Sequence, residues 1–204
     1  MKLGIYGGTF SPIHMGHVRA AGAFLDAMAL DRLLVIPTAV PPHKAVVAGA
    51  DAAARLAMTR LAFADSDARL AVSDYEISRE GKSYTVYTLE HFTAPDTTLY
   101  LLVGTDMFLT LAKWFRAEDI FRLADIVLMR RETDAGLTGL LSETAADYRA
   151  RFGARIHEID EPPLVISSTE LRERLRAGLP TDGMLPDAVT EYIAKNNLYR
   201  RDEE

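Results

Sequence analysis

Cysteine is absent from the 204-residue sequence, which excludes disulfides, thiolate zinc sites and cysteine nucleophiles. Positive charge is short as well: 23 Lys and Arg stand against 29 Asp and Glu, a net charge of −6. The general electrostatic footprint that a nucleic-acid backbone needs is therefore missing, and no nucleic-acid partner is expected. Any anion must be held in a local pocket. No apolar run approaches the roughly 18 residues of a membrane span, and the first residues show no basic stretch leading into an apolar one. No membrane partner is expected, and a cytoplasmic location is. Low-complexity tracts, internal repeats and dividing linkers are missing too. What remains is ordinary for a globular protein, with 49% hydrophobic and 25% charged residues. The length suits a single domain over 1–204 with a helical C-terminal part at about 167–200. The oligomeric state stays open, a homo-oligomer being allowed.

Short apolar runs alternate with helical patterns along the chain. LGIY, RLLVIPT, RLAVS, TLYLLVG, DIVLMR and RIHEI read as strands; HVRAAGAFLDAMAL, DAAARLAMTRLAFADS, YTVYTLEHFT, TDMFLTLAKW, EDIFRLA, ETAADYRARFG, STELRERLRAG and DAVTEYIAKNN read as helices. This alternation predicts βαβ units and an α/β fold: a Rossmann-like, doubly wound parallel sheet with helices on both faces. Breaks are expected at the proline loop 37–44, the Gly/Thr stretch 133–139 and the loop 160–166. Ligands of such sheets bind at the carboxyl ends of strands, where the strand order reverses.

One such end is marked by GGTFSPIHMGH at 7–17. Gly7 and Gly8 follow a strand-like run and precede a helix predicted from about Met15, a turn where backbone N–H groups gather without side chains in the way. His14 and His17, at i and i+3, fall on one face of the first helical turn. The pattern is neither a Walker loop nor a dinucleotide fingerprint. A plainer reading is a tight glycine turn with one histidine capping the helix. The H-x-x-H spacing lacks the third ligand usual for zinc, so no protein-held metal is expected.

A second anion cradle is readable at ISSTELR, 166–172. Ser167 or Ser168 suits a helix N-cap, hydroxyls and N–H groups converge at a helix start, and Arg172 lies one turn on with a planar fork for phosphate. A capping box closed by Glu170 uses overlapping donors, and both readings can hold. Elsewhere, Lys44 follows two prolines, either as surface charge or as a cation held rigidly for a polyphosphate. Trp114, the single tryptophan, fits a core position or a ring stacked on a flat ligand. Asp106, close behind Gly104 at a strand's carboxyl end, suits a helix N-cap or a partner for a ribose hydroxyl or a magnesium-bound water. His91 and His157 have no partner in view and read as structural.

These stretches carry a resemblance. GGTFSPIHMGH is similar to the first signature of the nucleotidyltransferase α/β-phosphodiesterase superfamily, G-x-F-D-P-x-H-x-G-H, and ISSTELR matches its second, I-S-S-T-x-[IL]-R. PPHK at 41–44, REGKSYTVYTL at 79–89, GTDMFLTLAKW at 104–114 and the closing LPDAVTEYIAKNNLY resemble the nicotinate-nucleotide adenylyltransferases of bacterial type over nearly the whole chain. The departures are Ser11 and Tyr87, where aspartate is usual, and RRETDAG from Arg130 in place of R-P-G-Y. Pantetheine-phosphate and glycerol-phosphate relatives are commonly shorter and lack the SYT and Trp segments. A nicotinamide mononucleotide adenylyltransferase and a non-catalytic nucleotide sensor on the same fold compete with the nicotinate reading.

The resemblance implies adenylyl transfer from ATP to nicotinate mononucleotide in NAD biosynthesis, releasing pyrophosphate. It implies that His14 and His17 donate to the phosphates while Lys44 and Arg172 spread the growing charge. ATP would lie along Gly7, Gly8, Thr9, Phe10, Gly104, Asp106, Ile166, Ser167, Ser168 and Thr169. The mononucleotide would meet Lys44, Ser83, Tyr84, Thr85, Trp114 and Arg130. Magnesium (Mg2+) would accompany ATP, liganded mainly by phosphate and water.

Overall fold

The computed structural model describes residues 1–40, 49–130, 135–159 and 166–200. Six strands form one parallel sheet: β1 (Lys2–Gly8), β2 (Arg32–Pro37), β3 (Leu70–Val72), β4 (Thr98–Gly104), β5 (Ala124–Met129) and β6 (Ile156–Ile159), in the order β3-β2-β1-β4-β5-β6. The helices are α1 (Met15–Ala27), α2 (Ala52–Ala62), α3 (Tyr75–Ser78), α4 (Thr85–Phe92), α5 (Thr105–Thr110), α6 (Ala117–Leu123), α7 (Ala135–Phe152), α8 (Ser168–Arg176) and α9 (Asp187–Lys195). A 3-10 turn, Leu111–Lys113, follows α5. The Rossmann-like expectation holds.

The strands are apolar on both faces because both faces are covered. Successive side chains point oppositely, so Leu33, Val35, Tyr100, Leu102 and Val127 pack with α1, α2, α8 and α9. Leu34, Ile36, Leu99, Leu101, Val103, Ile126 and Leu128 pack with α4, α5, α6 and α7. Fully burying one such side chain contributes about 1.5–3 kcal/mol. The chain winds outward from β1 to β3 and returns at β4 beside β1. The order therefore reverses between β1 and β4, and their carboxyl ends flank the crevice.

Three details differ from the sequence reading. The stretch 133–139 is no simple break, since α7 begins at Ala135 and runs 18 residues. A helical glycine such as Gly139 costs about 1 kcal/mol, and burial of Leu141, Ala145 and Tyr148 outweighs it. The short α3 was not anticipated. His157 does have a partner, its Nε2 lying 2.9 Å from Asp125 Oδ2, while His91 stacks on Tyr75 at 3.9 Å. Among the described residues, no helix is long and apolar enough to cross a membrane.

Candidate active site

The glycine turn ends β1. A side chain at Gly8 would meet the Phe10 ring at 2.7 Å, so this position must stay small, while a Cβ at Gly7 would meet nothing within 4 Å. The Phe10 side chain is buried and meets Tyr6 and His17 edge-on at 5.4 and 5.1 Å. It backs the histidines instead of lining the crevice. His14 is the N-cap residue of α1, and its ring stacks on His17 with centroids 3.7 Å apart. His17 Nδ1 accepts the backbone N–H of His14 at 3.3 Å. A neutral His17 then carries its proton on Nε2, which makes that edge the donor.

The distal motif folds onto this turn. Ser167 caps α8, its Oγ accepting the Glu170 N–H at 3.1 Å. Ser168 Oγ donates to the Pro12 carbonyl at 3.0 Å, and Arg172 Nη1 donates to the Ser11 carbonyl at 2.7 Å. Arg172 Nη2 also donates to Thr169 Oγ1 at 3.0 Å. Of the five N–H donors of a guanidinium, these two bonds leave others for a ligand. Ile166 is buried in the core that supports this junction. Ser11 is held from its other side by the Tyr199 hydroxyl at 3.0 Å, and burial pushes that phenol up to about 12.

A cavity of about 480 Å³ opens beside the glycine turn. Gly7, Gly8 and Thr9 line it together with Ser83, Tyr84 and Thr85, and with Asp106 and Trp114. Tyr84 is the N-cap of α4; its carbonyl accepts the Tyr87 N–H at 3.0 Å, so the Thr85 and Val86 N–H groups are the ones that precede the first bond of the helix. Ser83 is buried and committed internally: its N–H donates to the Val40 carbonyl at 3.0 Å, and its Oγ accepts the Ala39 N–H at 3.1 Å. Asp106 lies inside the first turn of α5, whose N-cap is Gly104, so a capping role does not apply. Trp114 is half-buried: it packs against the core under α4 to α7 and lines the cavity.

His14, His17 and Arg172 gather at the turn but do not line this cavity. Arg130 does not reach it either; its Nη2 donates to Thr138 Oγ1 of α7 at 2.9 Å. Lys44 and the PPHK stretch lie outside the described residues. Among the described residues, no group of three or more His, Cys, Asp or Glu side chains gathers in a way that could hold a metal.

Sequence reasoning missed two buried charges. Glu76 of α3 lines the cavity, and its Oε1 accepts the Thr88 hydroxyl at 2.8 Å. Burial pushes its carboxyl above the ordinary range, against the opposing pull of hydroxyls from Thr88, Ser83 and Thr38 and of the Arg79 charge. Arg55 of α2 is 3% exposed. It occupies the same helical stripe as the buried Met58 and Thr59, and a cation within an apolar i, i+3, i+4 stripe was the available signal.

A doubly wound sheet with this junction at its switch point defines a nucleotide-handling α/β protein. The model of the cytidylyltransferase-like family matches residues 5–174, and the chain belongs to that family. It is 40% identical over 200 residues, 97% of its length and 94% of the relative's, to a protein of Synechococcus sp. named probable nicotinate-nucleotide adenylyltransferase. A protein of the same name from Chromobacterium violaceum is 40% identical over 212 residues, covering 98% of this chain and 99% of the relative. Identity of this extent places the chain among the nicotinate-nucleotide adenylyltransferases. Its fold is similar to that of a Plasmodium falciparum nicotinic acid mononucleotide adenylyltransferase complexed with NaAD, with a TM-score of 0.76, 20% identity and 97% of each chain covered.

Proposed function

We propose that this protein transfers the adenylyl group of ATP to nicotinate mononucleotide, giving nicotinate adenine dinucleotide and pyrophosphate. The observation that carries the reading is the junction of two motifs about 150 residues apart. Ser168 and Arg172 bond to the backbone of Pro12 and Ser11, beside a cavity bounded by the start of α4 and Trp114.

The nucleophile is a phosphate oxygen of the mononucleotide, already ionised at neutral pH. It forms a bond to the α-phosphorus of ATP as the bond to the bridging oxygen of the β-phosphate breaks, so no general base and no covalent enzyme intermediate are needed. Catalysis reduces to positioning and preorganised charge stabilisation. His14, His17 and Arg172 supply donors at the turn, and Lys44 a further cation. Gly7 lets the nucleotide approach the backbone. The start of α4 meets the carboxylate of the pyridine, and Trp114 covers its flat ring. Magnesium enters as part of the ATP substrate, held through phosphate oxygens and water. Residues 1–204 are read as one nucleotidyltransferase unit, because both ends of the chain contribute to the junction.

Mixing the protein with ATP and nicotinate mononucleotide should release pyrophosphate and form the dinucleotide in equal amounts. Nucleotide binding without pyrophosphate release would instead make it a non-catalytic sensor.

A further inference from the structure

Arg55 is a buried guanidinium whose acceptors, among the described residues, are carbonyls rather than a carboxylate. Nη1 donates to Thr9 O at 2.7 Å and to Thr38 O at 2.6 Å, and Nη2 donates to Ala39 O at 3.1 Å. Burying a cation is costly unless it is fully hydrogen-bonded, and burial does lower its pKa. Three charge-assisted bonds offset that cost. The acceptors come from two strand ends: Thr9 follows β1, while Thr38 and Ala39 follow β2. Thr9 and Thr38 both line the cavity.

The contacts continue beyond the arginine. Ala39 donates its N–H to Ser83 Oγ at 3.1 Å, and Ser83 donates its own N–H to the Val40 carbonyl at 3.0 Å. Ser83 immediately precedes Tyr84, the N-cap of α4. One chain of bonds therefore runs from the glycine turn through Arg55 and residues 38–40 to the start of α4, which lines the same cavity.

We infer that Arg55 is a positioning residue that fixes the distance between the two halves of the site, the phosphate-side turn and the pyridine-side start of α4. The inference rests on the proposed adenylyl transfer for what each half binds. Its geometry stands without it. A lysine keeps the charge, but its three N–H donors sit on a single nitrogen, whereas three carbonyls from two segments must be spanned.

The test compares Arg55→Lys with Met58→Ala, a cavity-forming change in the buried stripe of the same helix. Arg55→Lys should speed amide hydrogen exchange at Ala39 and Ser83 by about tenfold or more, loss of a bond to a charged group being the cause. Exchange at Leu101 and Leu102 in β4 should stay as it was. The KM values for ATP and for nicotinate mononucleotide should both rise. Met58→Ala should lower the melting temperature while leaving those amides and both KM values near wild type. A lowered melting temperature with unchanged exchange at Ala39 and Ser83 overturns the inference, and so does a rise in only one KM. Should Arg55→Lys not fold, Ser83→Ala cuts the same chain one link away. Faster exchange at Ala39 then supports it, and unchanged exchange overturns it. Absence of pyrophosphate release by the wild-type protein would sink the proposed reaction, while the exchange data would still judge the brace.

Discussion

The proposed phosphate side and the proposed pyridine side of the site are built by different means. On the phosphate side, two short contiguous motifs meet: His14 stacks on His17 within one helical turn, and Arg172 and Ser168 close on Ser11 and Pro12. On the proposed pyridine side, the cavity extends from the glycine turn over residues scattered along the chain, with Thr38 after β2, Glu76 in α3, Ser83, Tyr84, Thr85 and Thr88 around the start of α4, Leu101 to Val103 in β4, Asp106 in α5 and Trp114 beyond the 3-10 turn. The difference suits the proposed ligands. A polyphosphate is met by a few donors at fixed spacing, which one turn and one helix start can supply. A flat ring with a charged edge needs walls on several sides, and no single segment can provide them.

The largest effect is expected on the phosphate side. His17→Ala removes a donor whose tautomer is set by the His14 backbone, and should lower turnover by about two orders of magnitude or more with the fold intact. Turnover unchanged at saturating substrate would remove His17 from the reaction and leave the stacked pair as a helix cap.

A smaller effect tests the pyridine side. The start of α4 presents N–H donors, to which a nicotinamide NH₂ would be a mismatched donor. Each group left unpaired costs about 1–3 kcal/mol, so the wild-type protein should favour acid over amide by about one to two orders of magnitude in kcat/KM. Thr85→Pro sharpens the point. Proline is tolerated at the first helical position and deletes one N–H, so the gap between acid and amide should narrow. Trp114→Ala should weaken both substrates alike, because stacking does not sense the carboxylate. Equal use of both mononucleotides by the wild type would contradict this account of the cavity and leave the phosphate side untouched.

The same contrast explains what could be read from the sequence. The sheet was legible because six apolar runs alternate with helical periods. The two motifs that meet at the turn were legible because the glycines and histidines of one, and the serines and Arg172 of the other, lie a few residues apart within each motif, where spacing maps directly onto geometry. The SYT stretch stood out in the sequence, but the commitment of Ser83 to residues 39 and 40 did not, since strand register and loop conformation create that contact. The contact of Arg130 with Thr138 on α7 and the edge-on packing of Phe10 against His17 were not legible either, because tertiary packing sets both. Glu76 gave no local pattern at all: the partner of its buried oxygen, Thr88, lies 12 residues away on another helix.

Arg172→Lys comes next in size and asks whether the distal arginine serves ligand or fold. A lysine can still reach one acceptor but cannot span the Ser11 carbonyl and Thr169 together. ATP binding should weaken about three- to tenfold by loss of the planar fork. The melting temperature should fall by only about 2–4 °C, the change that about 1 kcal/mol gives at this chain length. A larger melting shift with normal ATP affinity would assign the arginine to the junction alone.

The smallest effect concerns the buried carboxyl of the cavity. Burial raises the Glu76 pKa above its ordinary value of 4.5, outweighing the hydroxyl bonds and the Arg79 charge that favour ionisation. A group whose folded pKa is raised contributes its full stability below the unfolded value, where both states hold the proton. As pH climbs past 4.5, the unfolded chain releases its proton while the folded one retains it, and that contribution is lost progressively up to the folded pKa. Glu76→Gln keeps the acceptor for the Thr88 hydroxyl and does not titrate. The melting temperature of the glutamine variant relative to wild type should therefore increase between pH 4 and neutrality, by a few degrees at about 2–4 °C for each kcal/mol, and then level off. A difference that stays constant across that range, or that shrinks as pH rises, would mean that the hydroxyls of Thr88, Ser83 and Thr38 hold Glu76 as a settled carboxylate. The pyridine side would then carry a fixed negative charge, unlike the donor-rich turn across the cavity.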